Sequence, residues 1–430
     1  MPKRYFLILI GIALAFPTGA ARAKENNRFL NSEFLPLGAR YAGMGGTHVA
    51  LPGGVACAYT NPAILPWTSD LEFTLEGVFT GGPDHVSGEG DNALTYQERN
   101  ELGLIGIRFP DRGGFSFAIM EVTRYDHDIR GHLFGLLPEG GTKPVYTKKA
   151  EEDPDKLISD YQDRAQIRSF GFTTGYRFTP NASFGLGFWI DRKKVFKKID
   201  YYSSPVSSGE EMDDLIEKDY VDREGNTNDV TLRITGGLYY RLTDRIDGAL
   251  AFGTGSELQS GLLVDARTTM IYAKDNRTVF DKTPWNMQAG FSFYWSEGLR
   301  FAGDVSYQHW KDVHPYLKST FQFGLGAEWD FDERVTFRGG FRTSFDPTDL
   351  PSTDEFPGDA AWREELRDIE WSGTLFPADE YFLTAGVGYR LSPILQIDLG
   401  VQNSDLLSAE DGRTMVTVGA RFVTEQPDDD

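Results

Sequence analysis

A two-residue period recurs from Leu71 almost to the C-terminus, and it constrains the fold more than any other feature of this chain. In EYFLTAGVGYRL (380–391), Tyr381, Leu383, Ala385, Val387, Tyr389 and Leu391 share one face, while Glu380, Thr384, Gly386, Gly388 and Arg390 share the other. ILQIDLGVQ (394–402), TFQFGLGAEWDF (320–331) and RVTFRGGFRTSF (334–345) repeat the scheme. Such alternation belongs to strands whose two faces meet different surroundings. Fourteen strands are expected, near 71–82, 100–110, 113–122, 166–178, 182–193, 228–242, 245–254, 283–295, 298–310, 320–331, 334–345, 380–391, 394–403 and 413–423. The second, NELGLIGIRFP, alternates poorly.

The connections follow a rule of their own. Tight turns (PDRGG, TPNA, TDR, SEG, FDER and SP) follow the even-numbered strands, and long polar stretches such as 123–165, 194–227, 255–282 and 346–379 follow odd-numbered ones. An even strand count with short turns at one end and long loops at the other describes a transmembrane β-barrel. Closure pairs every backbone donor and acceptor within lipid and leaves no strand edge. A soluble sandwich or propeller also shows period 2, but its strands average about five or six residues, too short to cross a bilayer at a tilt. Trp285, Trp295, Trp310, Trp329, Tyr381 and Tyr389 gather near strand ends, as interfacial aromatic girdles do. The expected fold is all-β: a 14-stranded antiparallel transmembrane β-barrel.

The first residues, MPKRYFLILIGIALAFPTGAARA, combine Lys3 and Arg4, an apolar core and a small-residue ending, and read as a signal peptide cleaved after Ala23. Position 24 is lysine, so no lipoprotein anchor is indicated. Losing Lys3, Arg4 and Arg22 with no acid moves the formal charge from −21 to −24. That balance argues against a nucleic-acid partner, which needs a basic face. Cys57 is the only cysteine, excluding internal disulfides and multi-cysteine metal sites. There is no Gly-x-Ser-x-Gly and no His-Glu-x-x-His. Asp126, His127, Asp128 and His132 have metal-binding chemistry but read as a solvated acidic loop. No catalytic residue, metal ligand or cofactor is assigned, and the chain is not read as an enzyme. The expected divisions are 1–23 signal peptide, 24–70 N-terminal segment, 71–423 barrel and 424–430 acidic tail.

Residues 38–67, GARYAGMGGTHVALPGGVACAYTNPAILPW, sit in an uncharged run from Tyr41 to Ser69 within a chain that is 25% charged. The run is long enough for a membrane helix. Its glycines, with Pro52, Pro62 and Pro66, argue against one. Gly-x-Arg-x-x-Gly-Met-Gly-Gly followed by Tyr-x-Asn-Pro-Ala, directly before a first strand, resembles the FadL/TodX family of outer-membrane hydrophobic-compound transporters. The matching positions are Gly38, Arg40, Gly43, Met44, Gly45, Gly46, Tyr59, Asn61, Pro62 and Ala63.

The resemblance implies a hatch folded inside the barrel, gated by Gly43, Gly45, Gly46, Asn61, Pro62 and Ala63. It also implies uptake of long-chain fatty acids or aromatic hydrocarbons, lateral exit into outer-membrane lipid, and a monomer without cofactors. Candidate ligand contacts are Leu133, Phe134, Leu136 and Leu137, with Leu262, Leu263, Val264 and Ile271. The alternative is a secretion or assembly component similar to PorV. Two departures from the family pattern stand out: the chain runs past Phe422 into VTEQPDDD, and GGFSFAIMEV (113–122) carries no internal glycine or proline to mark the family's third-strand kink.

Overall fold

The structure, a computed structural model, describes residues 37–68, 70–81, 87–89, 92–96, 99–136, 156–203, 221–257, 282–312, 318–345, 347, 379–404, 406–407 and 414–424. The expected signal peptide and residues 425–430 of the acidic tail lie outside them. Fourteen strands build the wall: β1 (Leu71–Gly81), β2 (Arg99–Arg112), β3 (Phe115–Leu136), β4 (Lys156–Thr179), β5 (Ala182–Ser203), β6 (Val221–Thr243), β7 (Ile246–Gly253), β8 (Asn286–Ser296), β9 (Leu299–Gln308), β10 (Thr320–Asp330), β11 (Val335–Ser344), β12 (Glu380–Ser392), β13 (Leu395–Asn403) and β14 (Thr414–Thr424). Each is antiparallel to the next, and β14 returns to β1 from Leu71↔Thr424 to Gly81↔Thr414, closing the barrel. Among the described residues no helix is long and apolar enough to cross a membrane.

The two faces divide as the period requires. On β5, Phe184, Leu186, Phe188 and Ile190 are exposed, and Ser183, Gly185, Gly187, Trp189 and Asp191 between them are buried. The same outward apolar set continues through Phe172, Leu250, Phe291, Phe301, Leu325 and Val418. A soluble monomer rarely exposes so continuous an apolar surface, whereas a bilayer requires one. Aromatic contacts collect near the rims: Phe115 stacks on Tyr176 at 4.3 Å by the short turns, and Trp285 stacks on His309 at 4.7 Å toward the long loops.

The strand count matches the expectation, but β3 to β6 continue well past the expected ends. β3 pairs with β4 from Phe115↔Tyr176 to Leu136↔Lys156, through stretches expected to be loop. Polar sequences such as DRKKVFKKID in β5 hide this extension, because beyond the bilayer neither face needs to be apolar and the alternation vanishes. Leu133, Phe134 and Leu136 are therefore strand residues, opposite Ser159, Ile158 and Lys156. Leu137, Leu262, Leu263, Val264 and Ile271 lie outside the described residues.

Candidate functional site

Residues 37–68 fold as a chain of turns: α1 (Ala39–Ala42), α2 (Cys57–Thr60) and a 3-10 turn (Pro62–Trp67). They meet every strand of the ring. Val55 lies against Glu72 of β1 and Gly106 of β2; the 3-10 turn packs on β3 to β6, and α2 on β7. Val49 reaches Gly290 of β8 and Asp304 of β9; Met44 and Gly45 sit on Gly326 of β10 and Gly340 of β11; α1 packs on β12 to β14.

Two glycine-lined seats hold this segment nearly across the ring from each other. At one, a Cβ on Gly45 would stand 2.3 Å from the Leu325 carbonyl oxygen and 2.5 Å from that of Phe341, and its φ of 68° already lies in the left-handed region. Gly43 sits equally close, its would-be Cβ 2.8 Å from the Cα of Gly386, whereas Gly46 has only the Arg342 side chain near it. At the other seat Pro62, Ala63 and Asn61 lie directly on Gly175, Gly185 and Gly237 of β4, β5 and β6. Glycine at these strand positions marks close approach of another backbone.

Asn61 explains the Asn-Pro-Ala sequence. Its Oδ1 accepts from the Ala63 N–H at 3.1 Å, and its Nδ2 donates to the Val49 carbonyl at 2.8 Å. Pro62, at the first turn position, needs no donor. The segment's turns pair part of its own backbone, and wall side chains take up further groups. Asp304 Oδ2 accepts from the His48 and Val49 N–H groups at 2.6 and 3.0 Å, and Glu72 accepts from Val55 at 2.9 Å. Thr384 accepts from the Gly45 N–H at 2.8 Å, and Ser183 donates to the Ala63 carbonyl at 2.6 Å.

A fork-shaped ion pair also joins the segment to the wall. Arg40 Nε and Nη2 donate to the two oxygens of Glu328 at 2.8 and 2.9 Å. Glu328 is also paired with Arg300 at 2.9 Å and Arg338 at 2.8 Å, and Arg338 continues to Asp398 at 2.7 Å. Burial alone would lower the Arg40 guanidinium, but Glu328 overrides it and holds Arg40 above its ordinary value. These inward charges pair with one another, whereas Asp304 serves the segment's backbone.

The opposite wall differs in two ways. It is apolar: Leu104, Ala118, Met120 and Val122 of β2 and β3 are buried in one cluster with Val55. It is also broken. The β2–β3 ladder runs from Arg112↔Phe115 to Leu104↔Val122 and stops, although both strands continue. Above that point the Thr123 hydroxyl donates to the Leu102 carbonyl at 2.6 Å, Arg168 of β4 reaches Glu101 of β2 at 3.0 Å, and pairing with β3 resumes at Leu94–Tyr96, opposite Ile129–Gly131. Two bulges bracket the gap. Gly103 is the extra residue where Glu76↔Leu104 gives way to Gly77↔Leu102, and Arg124 is the extra residue between Thr123↔Arg168 and Tyr125↔Ile167.

The sequence signal for this gap was the poor alternation of NELGLIGIRFP, since one extra residue inverts the faces that follow it. The expected mark inside 113–122 was sought too early; the irregularities stand at Gly103 and Arg124. Asp126, His127 and Asp128 are β3 residues opposite Gln166, Ala165 and Arg164.

These features define a closed, fourteen-stranded antiparallel barrel with an N-terminal segment bonded to its inner wall and an interruption between β2 and β3. No family model and no curated protein matches the sequence. Solved structures do. A FadL homologue of Pseudomonas aeruginosa superposes with a TM-score of 0.60 at 12% identity, over 90% of this chain and 99% of that one. The P. putida toluene transporter TodX gives 0.59 at 12% identity over 91% and 99%. The Ralstonia pickettii toluene transporter TbuX gives 0.55 at 14% identity over 92% and 99%. At these identities the likeness is one of fold.

Proposed function

We propose that this chain carries hydrophobic compounds across the bacterial outer membrane as a monomeric barrel. Residues 37–68 act as the plug, and the β2–β3 seam is the side exit into lipid. The observation that carries the reading is the coincidence of the apolar inner patch, Leu104, Ala118, Met120 and Val122, with the break in the wall. A ligand chain gains about 0.8 kcal/mol per methylene on leaving water for such a surface. A route from apolar lumen to lipid keeps it out of bulk water throughout. The plug hinges at Asn61-Pro62-Ala63, and the Gly43–Gly46 turn lifts from β10 to β12 when the Arg40–Glu328 fork opens. Leu133, Phe134, Leu136, Leu137, Leu262, Leu263, Val264 and Ile271 are proposed as first contacts at the outer end. The barrel likeness to transporters of toluene and to a FadL homologue supports the substrate class of fatty acids or aromatic hydrocarbons.

The exit is tested with a cysteine at Thr123 in a Cys57→Ser background, reconstituted in liposomes and challenged with a lipid-dissolved alkyl maleimide. Added ligand accelerates labelling at position 123 but not at Ala118→Cys, which faces inward where the wall is continuous. Equal labelling at both positions refutes the seam as exit. Solvent extraction of the purified barrel tests the cargo class. A co-purifying protein with no lipophilic compound would instead support the secretion role.

A further inference from the structure

We infer that the outer rim of the wall carries an ester-hydrolysing site, in which Ser319 is the nucleophile, His309 its base and Asp312 the residue that positions the base. The substrate is an acyl ester of an amphiphile lying at the membrane surface. The inference stands apart from the transport reading and uses none of its residues.

The 3-10 turn Trp310–Asp312 follows β9 and folds Asp312 back on His309, so that Asp312 Oδ1 accepts from the imidazole Nε2 at 3.1 Å. That bond puts the ring proton on Nε2 and leaves the Nδ1 lone pair for hydroxyls. Two reach it: Tyr307 donates at 2.8 Å and Ser319 at 3.1 Å. Carboxylate, imidazole and serine hydroxyl in that order form a hydrolase triad, which is recognised by geometry and not by sequence position. The two ring nitrogens are exchanged relative to the common arrangement, which leaves the proton relay intact. Ser319 sits in LKSTF, with no Gly-x-Ser-x-Gly around it.

The ring is held on several sides. Trp285 stacks on it at 4.7 Å, the His309 N–H donates to the Trp285 carbonyl at 3.0 Å, and buried Trp310 anchors the turn by donating to Gln308 at 2.8 Å. The Lys318 N–H donates to the Pro347 carbonyl at 2.6 Å, fixing the backbone that leads to Ser319.

The position selects the substrate. Strand alternation puts Tyr307 on the outward face with Phe301, and Ser319 on that of Phe321 and Phe323. Phe252, Trp285, Tyr307 and Phe321 make a continuous aromatic row beside the triad, at successive centroid distances of 6.4, 5.5 and 5.1 Å. Such a row lies at the level of lipid head groups, where ester bonds are. Ser319 is half-buried and the His309 side chain 23% exposed, so both are reached from that layer. Ser319 Oγ bonds to the ester carbonyl carbon as its proton moves to His309 Nδ1. The bond to the alcohol then breaks, and the alcohol leaves with that proton. Water attacks the acyl-serine, giving its own proton to Nδ1, and the acid departs as Ser319 is reprotonated, so one water is consumed per ester.

The test treats the purified full-length protein in detergent with an alkyl fluorophosphonate and locates the adduct by mass spectrometry. Release of fatty acid is followed from phosphatidylcholine in mixed micelles and from methyl palmitate. The adduct falls on Ser319, and release from one or both esters assigns the substrate to membrane lipid or to a single-chain ester. His309→Gln slows adduct formation by about 100-fold or more, the usual worth of a general base. Asp312→Asn slows it by about tenfold, a modest factor because Asp312 is 67% exposed, and Asp312→Glu restores part of the rate. Folding of each variant is judged by mobility on an unheated gel, and Asp312→Asn carries the test if His309→Gln fails to fold. No adduct at Ser319, an adduct rate unmoved by these substitutions, or no release from either ester overturns the site and leaves the transport reading standing.

Discussion

Arg40→Gln isolates the charged contact between the N-terminal segment and the far wall. Removing one partner of a buried pair usually costs about 3–5 kcal/mol, because the other charge is stranded. Glu328 is not stranded here: Arg300 at 2.9 Å and Arg338 at 2.8 Å still hold it. What disappears is a two-bond fork, offset by no longer having to bury a guanidinium, and the net is about 2 kcal/mol. It falls on docking of the segment and not on the barrel, whose ladders do not involve Arg40. Cys57 supplies the assay. It is the only cysteine, 2% exposed, and burial pushes its thiol up, so it reacts only when the segment lifts. With fast reclosing, labelling follows the opening equilibrium, and 2 kcal/mol translates to maleimide labelling about 30-fold faster. Resistance of the barrel to detergent unfolding stays unchanged. Glu328→Gln is the contrasting case. It leaves three guanidiniums facing a neutral group and weakens segment and barrel together. Unchanged labelling in Arg40→Gln, or a matching fall in barrel stability, would refute the reasoning.

Three further outcomes use the same thiol. Gly340→Ala puts a methyl 2.5 Å from the Gly45 nitrogen and 2.6 Å from the Leu325 carbonyl oxygen, so about 1–3 kcal/mol of overpacking speeds labelling. Gly339→Ala, whose nearest contact would be 3.9 Å away, leaves the rate alone. Asn61→Ala removes the cap on Ala63 and strands the Val49 carbonyl; about 1–2 kcal/mol, measured as roughly tenfold faster labelling, follows. The pH dependence has a definite sign. Because docking raises the Cys57 thiol above its unfolded value, docking is at full strength below the unfolded value, about 8.5, and weakens as pH climbs past it. Labelling of the folded protein therefore keeps rising above that pH, where the urea-unfolded chain levels off.

The barrel was legible because lipid imposes a two-residue rule on the wall strands, and nearly all of the fourteen runs obey it, NELGLIGIRFP being the exception at its Gly103 bulge. The rule ends where lipid ends, so the paired extensions of β3 to β6 could not be read from sequences such as KKVFKKIDYYS. The residues proposed as the gate were readable as a local backbone motif, since Gly45, Asn61 and Pro62 meet local backbone demands. Their partners were not. Gly175, Gly185, Gly237, Gly326 and Gly340 look like ordinary strand glycines until the segment is laid against them. His309, Asp312 and Ser319 stand within ten residues of one another, yet the turn after β9 aims the first two at each other and the register of β10 brings up the third, with no motif that could announce them.

Between Leu104↔Val122 and the renewed pairing of Leu94–Tyr96 with β3, the junction of β2 and β3 has no ladder pairing among the described residues, and the Thr123 hydroxyl on the Leu102 carbonyl is one of the side-chain contacts that span it. Such a bond is worth about 1 kcal/mol net, close to what one or two buried methylenes return. On the proposed exit route, a passing molecule would balance the loss of that bond from a small fraction of its own length. On that proposal the rest of the cylinder could be as rigid as the membrane demands, because permeability and mechanical strength would reside in different strands.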